Sequence, residues 1–98
     1  MWNNIEDINI LEYVDFKGLK KLNLSNNKIS NIDIFEKVNF KELNILILNW
    51  NKISDISILE KVNFKELSKL DLVVNKINEK EYSSLIRNLK LRINNVFI

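Results

Sequence analysis

Leucines alternate with polar residues in three short segments of the chain, and these segments recur every 24 residues. The first segment reads Lys21, Leu22, Asn23, Leu24, Ser25. Because successive side chains of a strand point to opposite faces, a period of two predicts a short strand with leucines on one face and polar groups on the other. The predicted strands lie near residues 21–25, 45–49 and 69–73.

The three segments share the skeleton LxxLxLxxNxI. Its copies run from Leu19 to Ile29, from Leu43 to Ile53 and from Leu67 to Ile77. Stacked in register, such strands form a parallel sheet whose crossovers are the remaining residues of each repeat. Burying a large apolar side chain contributes about 1.5–3 kcal/mol, and one repeat alone cannot bury its own leucines. The repeats are therefore expected to fold together as one domain.

Each copy places an asparagine where the chain leaves the strand, at Asn27, Asn51 and Asn75. An amide can both donate to and accept from backbone groups that a turn leaves without partners. Ordinary turn asparagines are the alternative in so asparagine-rich a chain, but the regular recurrence favours a structural asparagine ladder. Removing one rung would leave buried groups unsatisfied, at roughly 1–3 kcal/mol.

The segments between the strands carry an apolar residue at every third position. These residues are Ile29, Ile32, Phe35 and Val38 in one repeat and Ile53, Ile56, Leu59 and Val62 in the next. A spacing of three suits short 3₁₀ turns that keep one face on the core. Helical pieces are predicted around residues 34–38 and 58–62. Their candidate N-caps are Asn31 or Asp33 and Asp55 or Ser57.

The two ends of the chain depart from the full repeat. At the start, Asn3-Asn4-Ile5 aligns with Asn27-Lys28-Ile29, so the chain begins mid-repeat. Either Trp2 covers the end of the core, or the chain is part of a longer array. After Ile77, a capping-box-like start at 78–81 and an apolar helical face predict a helix, followed by a strand-like tail at 91–98. The helical face comprises Tyr82, Leu85, Ile86 and Leu89.

These boundaries divide one domain, residues 1–98, into five parts: a partial repeat 1–18, repeats 19–42, 43–66 and 67–77, and a C-terminal cap 78–98.

The three copies of the skeleton resemble the signature of leucine-rich repeat proteins. The spacing of Ile29, Ile32, Phe35 and Val38 is similar to the subclass found in a regulatory subunit of protein phosphatase 1 and in bacterial internalins. This chain departs from that subclass by extra residues around Phe40 and Phe64, which would make the convex side bulkier.

The resemblance implies an α/β fold, namely a short, curved, right-handed solenoid. A parallel sheet would line its concave face, 3₁₀ or short helical turns its convex face, and a helix would cap its C-terminal end. It also implies non-catalytic protein–protein interaction.

Composition narrows the possible chemistry. The chain contains no histidine and no cysteine, which excludes Ser-His-Asp and Cys-His arrangements and thiolate or imidazole metal ligands. Gly18 is the only glycine, so a glycine-rich phosphate loop cannot be built. No apolar run approaches a membrane span and no signal pattern precedes the repeats, which indicates a cytoplasmic or a processed chain, and we expect a cytoplasmic one. We therefore expect no enzymatic activity, no cofactor, no metal and no membrane partner.

Lysines follow the ladder asparagines at Lys28, Lys52 and Lys76 and would stack into a row. Such a row could hold phosphate groups. However, the net charge is only +2, acidic residues lie in the same repeats, and aromatic residues do not interleave with these lysines. A solvated row is the favoured interpretation, and a nucleic-acid partner is disfavoured.

The outward strand positions are polar in the first copy and largely apolar in the second, and in the third copy Lys69 and Asp71 are followed by Val73 and Val74. We define the apolar patch as Ile45, Ile47, Trp50, Val73 and Val74. A cluster of exposed apolar side chains with a central tryptophan typically marks an interaction surface. With Lys21 and Lys69 at its rim, the patch favours a protein partner that has acidic groups beside an apolar core.

Two alternatives to this interpretation remain open. Trp50 could fold over the ladder or the convex turn while the isoleucines merely serve strand propensity. A homo-oligomer is also possible, because the strand from Leu19 to Ser25 and the tail Val96-Phe97-Ile98 would both be sheet edges with unpaired backbone groups.

Overall fold

The chain forms a four-stranded parallel sheet backed by short 3₁₀ helices and one C-terminal α-helix, as a computed structural model shows for residues 3–98. The four strands are β1 Lys21–Asn23, β2 Ile45–Ile47, β3 Lys69–Asp71 and β4 Asn95–Phe97. The 3₁₀ helices are Asn9–Tyr13, Asp33–Glu36 and Ser57–Glu60, and helix α1 is Ser83–Arg92. The expectation for Trp2 lies outside the described residues.

The strands follow one another across the sheet in sequence order, β1-β2-β3-β4. All three pairings are parallel, and the register places Leu22, Leu46, Leu70 and Val96 in one row. This arrangement confirms the predicted parallel sheet with one strand per repeat. The row faces the interior, where Leu46 and Leu70 are fully buried.

Each of the first three strands has three residues, two fewer than predicted. The backbone still bonds across the repeats one residue later, since Leu24 N–H donates to the Ile47 carbonyl at 2.8 Å. The chain then turns sharply, because Asn26, Trp50 and Val74 adopt left-handed backbone with φ near +60°. The extended conformation therefore ends where the asparagine ladder begins.

Phenylalanines at equivalent positions form a row inside the molecule. The ring centre of Phe40 lies 5.8 Å from that of Phe16 and 5.9 Å from that of Phe64, and Phe35 packs edge-on against Phe40 at 5.2 Å. Phe35 and Phe40 are buried. The extra residues around Phe40 thus contribute to the core, whereas the sequence suggested a bulkier outer surface.

The second and third 3₁₀ helices begin one residue earlier than predicted, and they lack side-chain caps. Ile32 and Ile56 occupy the N-cap positions and are buried, so neither can offer a capping group. Asn31 Oδ1 instead accepts from Asp33 N–H at 2.8 Å, which closes the preceding turn. Asp55 does the same for Ser57 at 2.9 Å. All four candidate caps therefore act at the turn or in the first helical position.

The C-terminal helix is confirmed, but it begins at Ser83 after a series of turns and not at the predicted 78–81 start. Asn78 Oδ1 accepts from the N–H groups of Lys80 and Glu81, at 3.1 Å each, and so stabilises those turns. Leu91 and Arg92, assigned above to the strand-like tail, belong to the helix, where Ile93 N–H still bonds to the Leu89 carbonyl at 2.8 Å. Only the last residues pair with β3, as β4.

Candidate interaction surface on the sheet

The exposed face of the sheet carries two rows of side chains that run across the four strands. The register aligns Lys21, Ile45, Lys69 and Asn95 in one row and Asn23, Ile47, Asp71 and Phe97 in the other. Ile45 and Ile47 are half-buried, while Leu46 between them is fully buried. The alternation therefore turns the two isoleucines away from the core and onto this exposed face.

The turns that follow β2 and β3 add exposed apolar residues next to these rows. Trp50 is 42% exposed and Val74 is 46% exposed, and Val73 is exposed as well. Because β2 and β3 are paired neighbours, the structure brings all five residues of the apolar patch onto adjacent strands and turns. The two rim lysines, Lys21 and Lys69, pair in register with Ile45 on either side.

Phe97 extends the exposed apolar surface, and sequence reasoning missed it. It is 46% exposed and lies in register with Asp71 on the last strand. The ammonium of Lys69 lies 5.9 Å from the centre of its ring, within reach of a cation–π contact. The alternation of Val96 and Phe97 indicates that one of them faces the core and the other the solvent. Which one is exposed follows only from the pairing of this strand with β3.

Trp50 and Val74 occupy a backbone conformation that does not favour them. Left-handed φ is uncommon outside glycine, asparagine and aspartate, and it is most disfavoured for a β-branched side chain such as that of Val74. Residues held in such regions typically cost of order 1–3 kcal/mol. The first repeat places Asn26 at the same position, with φ 60° against 58° for the other two. The fold thus accepts an asparagine where the later repeats carry large apolar groups.

The position of Ile47 shows the same contrast between an apolar residue in one repeat and polar residues at the equivalent positions of the neighbouring repeats. Asn23 Oδ1 accepts from Ser25 N–H at 3.0 Å, and Asp71 Oδ1 accepts from Val73 N–H at 3.0 Å. Ile47 is their counterpart in β2 and has no acceptor on its side chain. The isoleucine therefore gives up a local hydrogen bond that both neighbouring repeats make.

The ladder asparagines fix the turns on which Trp50 and Val74 sit. Asn51 is 8% exposed; its Oδ1 accepts from Ile29 N–H at 3.1 Å, and its Nδ2 donates to the carbonyls of Leu24 at 2.9 Å and Leu48 at 3.0 Å. Asn75 bonds in the same way to Ile53, Leu48 and Leu72, at 3.0 Å each. These two amides clamp each repeat to the one before it.

Asn27 forms the first rung with fewer contacts to a neighbour. Its Oδ1 accepts from Ile5 N–H at 3.1 Å, whereas its Nδ2 donates within its own repeat, to the carbonyls of Leu24 at 3.0 Å and Ser25 at 3.2 Å. Among residues 3–98, it therefore ties the partial first repeat to the next through the one side-chain hydrogen bond to Ile5.

The lysine row lies beside the apolar patch. The N–H groups of Lys28, Lys52 and Lys76 each donate at 2.8 Å to an isoleucine carbonyl of the preceding repeat, which holds the three lysines in register. Together with Trp50 and Val74, the lysines line a groove of about 360 Å³ bordered by Asn27 and Asn51. The sequence pattern alone does not relate the lysines to Trp50. The left-handed turn brings them together.

Titratable groups with shifted pKa values lie at the contact between the helical cap and the repeats. Hydrogen bonds from Ser57, and then from Tyr82, lower the pKa of Asp55. Desolvation, and then the bond to Asp55, raises the pKa of Tyr82. Among residues 3–98, no cluster of three or more acidic side chains is placed to hold a metal ion. In the same range, no helix has the length and apolar character that crossing a bilayer requires.

No protein-family model matches the chain, and no curated protein matches it in sequence.

Proposed function

We propose that this chain is a leucine-rich repeat module that binds another protein through the exposed face of its sheet and has no catalytic activity. The three copies of the skeleton, the parallel sheet and the short 3₁₀ helices support the repeat class. In such an arrangement each repeat presents the same backbone, and the outward side chains distinguish one module from another.

One observation carries the proposal: the repeats share a backbone but differ in side chains at the surface. Asn26, Trp50 and Val74 have the same φ within two degrees, yet only the first suits that conformation. Ile47 likewise stands where its neighbours have a capping oxygen. Since these apolar residues are not favoured by the local fold, we attribute them to binding, which commonly retains locally unfavourable residues.

The chemistry of the face favours a particular kind of partner. Its apolar centre resembles the core of a protein interface, in which a tryptophan often contributes most of the affinity. Lys21 and Lys69 flank Ile45 and would favour acidic groups at the edge of the contact. We therefore propose a partner that inserts an apolar segment and surrounds it with carboxylates.

The test is to capture partners from an extract of the source cells and to measure each purified partner by calorimetry against matched variants. Ile47→Asn and Trp50→Asn install the side chains that the first repeat carries at equivalent positions, so the fold should be retained. We expect each to weaken binding at least tenfold, whereas the distant exposed substitution Lys61→Ala should leave it unchanged. Equal affinity of wild type and both face variants would refute the proposal.

Self-assembly is the second candidate, and exposed Phe97 on the last strand of the sheet favours it. That strand is at the end of the sheet order, where a further strand could add. Sedimentation equilibrium over a concentration range separates the two functions. A dimer that dissociates on Trp50→Asn substitution would assign the face to a second copy, and a concentration-independent monomer would leave it for a foreign partner.

A further inference from the structure

The groove lined by Lys28, Lys52, Lys76, Trp50 and Val74, called here the lysine groove, combines exposed apolar surface with positive charge. Trp50 and Val74 supply exposed apolar surface, while Lys28, Lys52 and Lys76 surround it with positive charge. Its volume of about 360 Å³ is at the lower end of the range for sites that hold a small ligand or a single anchoring side chain.

The three lysines carry charge that nearby residues do not neutralise. Within residues 3–98, none of them forms an ion pair, and the salt bridge found there joins Lys37 to Glu12. Equal hydrogen bonds of 2.8 Å to the preceding repeats fix their backbone positions, so the three lysines start from points about 5 Å apart along the stack of repeats. Such a row remains available for an external anion.

We infer that this groove binds an acidic peptide segment of the partner protein, with one large apolar side chain against Trp50 and Val74 and flanking carboxylates on the lysines. The inference rests on the proposed protein-binding function, because Trp50 and Val74 belong to both surfaces. It goes beyond that function by specifying that the bound segment is acidic and that it has one large apolar anchor residue.

A peptide fits the groove better than a nucleic acid does. Within residues 3–98, Trp50 is the only aromatic side chain that lines it, whereas grooves that bind single-stranded nucleic acid stack successive bases on several rings. The branched aliphatic side chain of Val74 matches an apolar anchor better than a base.

The experiment uses the full chain in a Trp2→Phe background, where Trp50 is the only tryptophan and its fluorescence reports on the groove. The probe is an acetylated, amidated pentapeptide with a leucine between two pairs of glutamates. Controls are the same peptide with lysines in place of glutamates and a single-stranded oligothymidylate. We expect saturable binding of the acidic peptide that weakens as salt is raised.

Matched variants separate the parts of the site. Lys52→Gln should weaken peptide binding at least fivefold, and Val74→Asn, which installs the residue of the first repeat, at least tenfold. Lys61→Gln lies outside the groove lining and should leave the affinity for the peptide unchanged. Circular dichroism and thermal melting verify that each variant is folded.

Three results would overturn the inference: no saturable binding of the acidic peptide, equal affinity for the lysine peptide, or tighter binding of the oligothymidylate. Its failure can be told apart from failure of the proposed function by Ile47→Asn. If a purified partner loses affinity with Ile47→Asn while the peptide never binds, the face is retained and the groove assignment falls. If the peptide binds but the partner has the same affinity for Ile47→Asn as for wild type, the groove is a peptide site and the sheet face is not the partner's binding surface.

Discussion

The hydroxyl of Tyr82 donates a 3.1 Å hydrogen bond to Asp55 Oδ1, which joins the turn before α1 to the turn before the third 3₁₀ helix. The same carboxylate oxygen accepts from the side chain of Ser57 at 2.7 Å and from its backbone at 2.9 Å. The two residues are 27 positions apart and β3 lies between them, so this contact fastens the C-terminal cap across the third repeat.

This contact predicts a dependence of stability on pH. The pKa of Asp55 is lowered in the folded chain, so its contribution is present above the ordinary value near 4 and is lost as the pH falls through the folded value. The pKa of Tyr82 is raised, so its contribution is present below about pH 10 and is lost at higher pH. The difference in Tm between wild type and Asp55→Asn should therefore shrink on acidification from pH 6 to pH 2.5.

Tyr82→Phe provides the control, because it removes one donor to Asp55 and leaves both bonds from Ser57. On acidification, its loss of Tm should lie between those of wild type and Asp55→Asn. Above about pH 10, it should lack the further loss of Tm that ionisation of Tyr82 causes in wild type. Parallel melting curves for wild type and Asp55→Asn at every pH would contradict the assignment.

The asparagine ladder predicts an unequal loss of stability along the chain. Asn51→Ala removes the partners of Ile29 N–H and of the Leu24 and Leu48 carbonyls, and should lower the free energy of unfolding by about 2–4 kcal/mol. Asn27→Ala breaks one bond to a preceding repeat and should cost less, about 1–2 kcal/mol. Urea denaturation measures both. A cost for Asn51→Ala no greater than for Asn27→Ala would show that contacts between repeats do not dominate the ladder.

The left-handed turn predicts that a change at the candidate site can stabilise the fold. Val74→Asn replaces a β-branched side chain at φ 58° with a residue that tolerates this conformation, and should raise the free energy of unfolding by about 1 kcal/mol. The reverse exchange, Asn26→Val, should lower it by a similar amount. Thermal and urea unfolding of the pair would test this, and a destabilised Val74→Asn would mean that packing of the valine outweighs the strain.

The phenylalanine row predicts a graded response in the core. Phe40 contacts Phe16, Phe35 and Phe64, so Phe40→Ala should cost about 3–5 kcal/mol. Phe64 is only half-buried and contacts one of these rings, so Phe64→Ala should cost clearly less. Equilibrium unfolding of both variants gives the comparison. Similar losses in the free energy of unfolding would show that Phe40 is not the most strongly packed ring of the row.

The recurrence of the sequence was enough to predict the strands and the inward leucines, and the apolar helical face after Ile77 was enough to predict the C-terminal helix. A stack of equivalent repeats gives equivalent positions the same environment, so the spacing of Leu22, Leu46 and Leu70 predicts their common row. The predicted ends of helices and strands were less accurate, because caps and turns depend on individual side chains and not on the repeated pattern. Ile32 is buried in the core and has no group that could cap the helix. Asn78 accepts hydrogen bonds in the turns before α1 and not at the first residue of the helix.

The candidate site divides in the same way. The sequence by itself determined that Ile45, Ile47, Trp50, Val73 and Val74 interrupt an otherwise polar pattern, because alternation assigns side chains to faces. Only the tertiary structure decided what lies beside them. The parallel pairing of β3 with β4 placed Phe97 next to Asp71, and the left-handed turn at Trp50 carried its ring to the lysine row. Strand pairing and backbone handedness relate residues that are distant in sequence, and a pattern of apolar and polar positions encodes neither.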